Sequence, residues 1–260
     1  MNVFEHSTAE LSPHLRREVE FDSVVRRGQR GRDVRRVQEW LTLHGFGLVV
    51  DGDFGPATQR QVTAFQERCG LEAVGDVDEE TAAALVEPLV QVLRQRLNSS
   101  RPLGEAVVEY AQAHLAVHPR EVGGQNRGPW VRAYMGGREG ADQPWCAGFV
   151  TFVLHQAAQS LGVPAPIAGS ASCDVLAAQG GGAGLFVAEA DVEYKDLPTG
   201  SLFLVRSRPG DWTHTGLVVE AREDDFDTIE GNTNDDGSRE GYEVCARARG
   251  YAGKDFVRLP

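Results

Sequence analysis

Three short stretches of this chain carry side chains of the kinds that move protons and form acyl intermediates. Cys146 lies in Pro144-Trp145-Cys146-Ala147-Gly148-Phe149-Val150, at the mouth of an apolar segment patterned as a helix. His214 lies in Thr213-His214-Thr215-Gly216-Leu217-Val218-Val219, the opening of a strand pattern, and Ile229-Glu230-Gly231-Asn232 follows. A helix N-terminus favours the thiolate, the nucleophilic form of cysteine. A histidine can carry the proton, and a third polar group can hold its ring. These are the parts of a cysteine hydrolase. Glu230 and Asn232 are two apart, so a continuous strand would point both to one face. One would orient His214; the other would bind the reacting carbonyl or support the ring. Gln143 is a candidate side-chain donor to an oxyanion, beside the Cys146 N–H. Trp145 and Trp212 read either as walls of a substrate groove or as core aromatics. The plainer readings are a buried structural thiol for Cys146 and a satisfied surface histidine for His214. Trp145 ahead of the thiol and the strand pattern around His214 favour chemistry over both.

The elements that position these groups divide the chain. Residues 1–23 read as a loose lead-in with one helical turn near Pro13 to Val19. In residues 24–88, Asp33 can cap a helix running to Gly45, with Val34, Val37, Trp40 and Leu41 on one face. Pro56 opens a second helix ending at Cys69-Gly70, and Asp78 can cap a third from Glu79 to about Val86. The expected core is Val34, Val37, Leu41, Phe54, Val62, Phe65, Leu71 and Leu85. Residues 89–103 form a linker with its break at Asn98-Ser99-Ser100-Arg101-Pro102. Residues 104–260 read as one unit. A helical pattern to Pro119 precedes a glycine-rich loop from Gly123 to Gly140, the Cys146 helix, and a flexible run from Gly180 to Gly184. Strand patterns follow at 201–205, 215–221, 228–230, 242–246 and 255–259. Helices followed by antiparallel strands predict an α+β fold.

The first region resembles the three-helix peptidoglycan-binding domains. The resemblance rests on Gly31-Arg32-Asp33-Val34, Val37-Gln38-Glu39-Trp40-Leu41, Asp51-Gly52-Asp53-Phe54-Gly55-Pro56-Ala57-Thr58, Val62, Phe65-Gln66 and Gly75 to Asp78. It implies binding of cell-wall glycan or stem peptide without chemistry. Taken singly, those residues read as scaffold: Asp51, Gly52 and Gly55 shape a turn and Phe54 plugs the core.

The second region, 104–260, resembles the CHAP family of cysteine- and histidine-dependent amidohydrolases and peptidases. The matching residues are Trp145-Cys146, Phe149-Val150, His214-Thr215-Gly216-Leu217-Val218 and Glu230-Gly231-Asn232. The resemblance implies a papain-like domain, with N-terminal helices packed on an antiparallel sheet, and a Cys, His, Glu, Asn site at Cys146, His214, Glu230 and Asn232. This chain departs from the family pattern at Gly200-Ser201, where Gly-Asp is usual, and in an arginine-bearing insertion, Arg206-Ser207-Arg208-Pro209-Gly210.

Net charge is −12, and residues 105–260 hold 13 basic against 22 acidic side chains. Acidity concentrated there argues against a nucleic-acid partner or an anionic membrane surface. No apolar run reaches the roughly 20 residues needed to span a bilayer. Cys69, Cys146, Cys173 and Cys245 form no CxxC pair, which disfavours a zinc ribbon, and reduced thiols are expected at synthesis. Asp51-x-Asp53 lacks the rest of a calcium loop. Asp224, Asp225, Asp227, Asp235 and Asp236 read as a solvated acidic loop rather than a cation site. No cofactor and no metal are expected. Residues 1–21 lack the basic start and apolar core of a secretory signal. The expectation is a monomer made in the cytoplasm that reaches the wall by non-classical export or lysis. The leading reading is a wall hydrolase cutting a peptide amide, as a phage lysin or an injected antibacterial effector; an effector would require an immunity protein. Two others stand beside it: a catalytically inactive wall-binding protein, and a cysteine protease acting on proteins.

Overall fold

The computed structural model describes residues 11–97, 100–234 and 241–260. Among them are eight helices: α1 Pro13–Val19, α2 Arg32–Leu43, α3 Pro56–Cys69, α4 Glu79–Arg94, α5 Leu103–Ala116, α6 Pro129–Tyr134, α7 Cys146–Leu161 and α8 Cys173–Gly182. The strands are β1 Phe186–Val187, β2 Leu202–Arg208, β3 Asp211–Ala221, β4 Asp225–Thr233, β5 Glu243–Gly250 and β6 Lys254–Val257. The mixed α+β architecture predicted from the sequence is the one observed. The chain forms two compact units, and both are discontinuous. Residues up to Leu93 join Arg120–Asp142, while Arg94–Pro119 joins Gln143–Pro260. The linear division at 89–103 therefore misses an excursion: Arg120–Asp142 groups with the first unit.

In the first unit, α2 is capped by Gly31 rather than Asp33. Asp33 sits in the first turn and pairs with Arg36 at 3.3 Å. Pro56 opens α3, and Gly70 closes it in the left-handed region at φ 71°. Asp78 caps α4 by accepting from the Thr81 N–H at 2.9 Å. This helix continues through Pro88 to Arg94 because Leu85, Val86, Leu89, Val90 and Val92 are all buried. Packing of that apolar face outweighs the hydrogen bond a proline removes. The predicted core residues are buried, except that Leu71 is half-buried, and Trp40 joins them. Two buried glutamines fix the turns. Gln38 donates to Asp51 Oδ1 at 2.8 Å and accepts from the Gly52 N–H at 2.8 Å. Gln66 donates to the Asp76 carbonyl and accepts from the Gly75 N–H, each at 2.8 Å. Within the expected glycine-rich loop, Pro129 starts α6, which carries Arg132 to three carboxylates. Those partners are Glu18 at 2.8 Å, Glu39 at 2.7 Å and Glu139 at 2.8 Å.

The second unit is a six-stranded antiparallel sheet in the order β1-β6-β2-β3-β4-β5. Helix α5 packs on α7, α7 lies against β3 and β4, and α8 lies against β3. Leu197, Phe203, Val218, Phe226 and Phe256 form a buried cluster on the sheet. The expected flexible glycine run is instead the end of α8. Ser172 caps that helix, and Cys173, Leu176 and Ala177 bury its inner face. Gly180 is required there, since a Cβ would stand 2.7 Å from Val257 Cγ2. The arginine-bearing segment is not a loop insertion either. It lengthens β2 and β3 into a hairpin turning at Pro209-Gly210, with Arg206 paired to Asp255 at 2.5 Å and to Glu189. No described helix is long and apolar enough to cross a membrane. Asn98, Ser99, Asp235 and Asp236 lie outside the described residues.

Candidate active site

Cys146 is the first residue of α7, and the first intrahelical bond runs from the Phe149 N–H to the Trp145 carbonyl at 2.9 Å. The backbone N–H groups of Cys146, Ala147 and Gly148 therefore lie ahead of the helical ladder, where the positive end of the dipole concentrates. His214 stands near the start of β3, close enough to Cys146 that each shifts the titration of the other. Its Nε2 lies 2.8 Å from Glu230 Oε2 on β4, which leaves Nδ1 for the sulfur. The order is thiol, imidazole, carboxylate; Cys146 and Glu230 are buried and the His214 side chain is 12% exposed.

Glycine makes this approach possible. A Cβ on Gly216 would stand 2.7 Å from Glu230 Cγ and 2.7 Å from Phe203 Cε1. Without that Cβ, the Glu230 side chain can cross over β3 to reach the ring two residues away. Gly231 serves the other side: a Cβ there would meet Phe149 Cβ at 2.7 Å and Trp145 Cζ3 at 2.8 Å. The spacing His-x-Gly and the triplet Glu-Gly-Asn thus have steric causes.

Glu230 is fully buried and saturated. It accepts from Arg249 Nε at 2.8 Å and Nη2 at 2.6 Å, and from Thr228 Oγ1 at 2.6 Å. Burial alone would raise its pKa, but Arg249 and His214 overcome that and hold it at about 2. Burial likewise pulls His214 down, yet its bonds to Cys146 and Glu230 win and raise it to about 9. The Cys146 thiol is pushed well below the ordinary cysteine range. The largest cause is the Cys173 thiol, 3.9 Å away sulfur to sulfur; burial opposes it and His214 adds to it. Cys173 itself is pushed far upward by that same contact and by burial, so it remains an S–H donor. These shifts favour a thiolate facing an imidazolium at neutral pH.

Asn232 is placed differently from the expectation of a regular strand. The β4–β5 register shifts between Glu230 and Thr233, and Asn232 takes φ 55°. Asparagine tolerates that left-handed geometry better than most residues. Its Oδ1 accepts from the Trp145 N–H at 3.0 Å, and its Nδ2 donates to the Gly241 carbonyl at 2.6 Å. Asn232 therefore braces the peptide that carries Cys146.

The aromatic expectations divide. Trp145 is 0% exposed, so it is a core residue under the site and cannot wall a groove. Trp212 is half-buried near His214, with its indole N–H on Asp255 Oδ2 at 2.9 Å and its ring edge-on to Phe186 at 5.7 Å. Gln143 is half-buried three residues ahead of Cys146. Cys173 and Arg249 escaped the sequence reading. Neither lies in a motif; only the fold brings α8 and β5 to the site. In the acidic loop, Arg222 pairs with Asp225 at 2.8 Å and Asp227 at 2.7 Å. Cys69, Cys146, Cys173 and Cys245 are all free thiols.

Residues 30–85 match the family model described as "Putative peptidoglycan binding domain". No curated protein matches the chain.

Proposed function

We propose that this protein is a peptidoglycan hydrolase, in which a wall-binding domain serves a cysteine amidase or endopeptidase. The binding half of this reading follows from the family match over residues 30–85. The catalytic half is supported by one observation above all: a buried thiol at a helix N-terminus, electrostatically tied to a histidine that a buried carboxylate holds.

In the proposed reaction, the Cys146 thiolate attacks a wall-peptide carbonyl and the N–H of Cys146 stabilises the oxyanion. Loss of one such donor typically costs about 10²–10³ in rate. The carbon–sulfur bond forms in that attack; imidazolium His214 then gives its proton to the leaving amine as the carbon–nitrogen bond breaks, leaving the thioester. Neutral His214 next takes a proton from water, hydroxide attacks the thioester, and the thiolate leaves. Glu230 fixes the ring so that one nitrogen always faces the sulfur. Asn232 and Cys173 act on the geometry and charge of the nucleophile rather than on substrate. The protein would meet its substrate on the wall after release by lysis or injection.

Purified peptidoglycan incubated with the full chain and with Cys146→Ala tests this directly. Mass spectrometry should find released peptide fragments with the parent alone, their new termini identifying the bond cut. Sacculus binding should persist in both. Fragments released equally by Cys146→Ala would refute the nucleophile. Binding without release by either protein would favour an inactive wall-binding protein.

A further inference from the structure

A cavity of about 790 Å³ lies within the first unit. One wall comes from the start of α2 and the Asp51-Gly52-Asp53 turn, inside the segment matched to the wall-binding family. The opposite wall comes from outside that segment, from His14 and Arg17 of α1 and from Arg132, Gly137 and Glu139. This cavity is therefore an addition made by this chain to the three-helix domain.

Its charges are unevenly committed. All five carboxylates are engaged. Glu18 and Glu39 hold Arg132, and Glu139 holds Arg132 and Arg35. Asp53 holds Arg30 at 2.7 Å, and Asp51 accepts from Gln38 and from the Asp53 N–H. The cations are in surplus. Arg36 is only 3% exposed, yet its Nε and Nη2 have no hydrogen-bond partner among the described residues. Nη1 alone is used, on the Glu20 carbonyl at 2.9 Å and Asp33 at 3.3 Å. Phe21 covers a flat face of the guanidinium at 4.1 Å, which satisfies no in-plane N–H. Burial without a full set of partners lowers the Arg36 pKa. On the exposed rim, Arg17 lines the cavity with no carboxylate partner among the described residues, and Arg32 touches only Asp33, at 3.6 Å. A buried cation without compensation is costly, and an anion entering beside it removes that cost. Helix α2 adds the positive end of its dipole on the same side, with Gly31 as a cap that supplies no side-chain acceptor.

We infer that this cavity binds a carboxylate of the wall stem peptide, with Arg36, Arg17, Arg32 and the α2 N-terminus forming the anion site. The inference rests on the wall-binding reading of residues 30–85 and names the group bound. The test uses full-length Cys146→Ala, so that binding is measured without cleavage. A synthetic stem peptide with free carboxylates should bind and release the protein from sacculi. The same peptide with every carboxylate amidated should bind at least about tenfold more weakly. Arg17→Glu and Arg32→Glu, both on exposed positions, should each weaken the acid peptide about 3- to 10-fold, as expected of a partly solvated ion pair, with unchanged thermal midpoints. Arg36→Met should weaken it further. Equal binding of acid and amide peptides would overturn the assignment. So would displacement by inorganic phosphate with none by the peptide, which would place a phosphate polymer in the cavity. Failure of the parent protein to bind sacculi would sink the wall-binding reading itself. Retention on sacculi with indifference to peptide charge would sink only the cavity assignment.

Discussion

Replacing Glu230 with glutamine should loosen the site and retune its histidine. The carboxylate now accepts four hydrogen bonds, from His214, Thr228 and both Arg249 nitrogens. The amide offers one oxygen, so its NH₂ must face a donor. Glu230 is held at about 2 against an ordinary 4.5. That shift corresponds to about 3 kcal/mol favouring the ionised form in the folded state. Because the folded pKa is depressed, this stabilisation is present above pH 4.5 and fades as pH falls toward 2. Glutamine forfeits it at every pH and leaves Arg249 without its carboxylate, a loss on the order of 3–5 kcal/mol for a broken buried pair. His214 behaves with the opposite sign. Its pKa is raised to about 9, so its contribution is complete below 6.5 and is lost as pH rises through 9. With Glu230 neutral, the midpoint should fall by at least about one unit, since Cys146 alone still supports the ring. If the midpoint returned fully to its ordinary value, imidazolium at pH 8 would drop from about 90% to about 3%. Histidine ring NMR across pH 5–10 reads the midpoint, and urea unfolding at pH 7 reads the stability. An unmoved His214 midpoint together with an unchanged urea midpoint would show that Glu230 does not hold the ring.

Four further outcomes are expected. Gly231→Ala should destabilise the protein by about 1–3 kcal/mol through overpacking against Phe149 and Trp145; an unchanged melting temperature contradicts the close approach. Cys173→Ala should raise the Cys146 pKa, whereas Cys173→Ser, which keeps a donor, should largely preserve it. Thiolate absorbance titrated against a Cys146→Ala blank separates the two, and identical titrations would remove Cys173 from the site. Asn232→Gly keeps the left-handed backbone but loses the bonds to Trp145 and Gly241, so fragment release from purified wall should fall while sacculus binding holds. Wild-type release by that variant would contradict the bracing role. Arg132→Met leaves Glu18 buried without its cation and Glu39 with Arg35 alone, and should cost roughly 3–5 kcal/mol; an unaltered urea midpoint would show that the cluster contributes nothing.

The legible parts of the sequence were those where a local cause decides the outcome. Pro56, Gly70 and Asp78 mark helix ends through local geometry and capping, and period-3.6 apolar spacing carried the core of the first unit. Cys146, His214 and Glu230 sit in motifs whose glycines have steric reasons that hold in the structure. What escaped was decided by tertiary packing. Helix α4 passes Pro88 because its buried face outweighs one lost bond. Helix α8 forms from a glycine-rich stretch because Ser172 caps it and Cys173, Leu176 and Ala177 bury its inner face, with Gly180 close against Val257. Asn232 left the strand alternation at a bulge that period-2 reasoning cannot foresee. Arg249 and Cys173 reach the site from elements far away in sequence, with no spacing to announce them.

The return of Arg120–Asp142 to the first unit has a bearing on synthesis. Glu18 and Glu39 are separated from Arg132 by 114 and 93 residues. At about 5–20 residues per second, both carboxylates leave the ribosome well before the guanidinium that neutralises them. During that interval Glu39 has Arg35 as its cation while Glu18 lacks the Arg132 guanidinium. A translational pause once residue 142 has cleared the ribosomal exit tunnel would let this fold close before the thiol helix emerges.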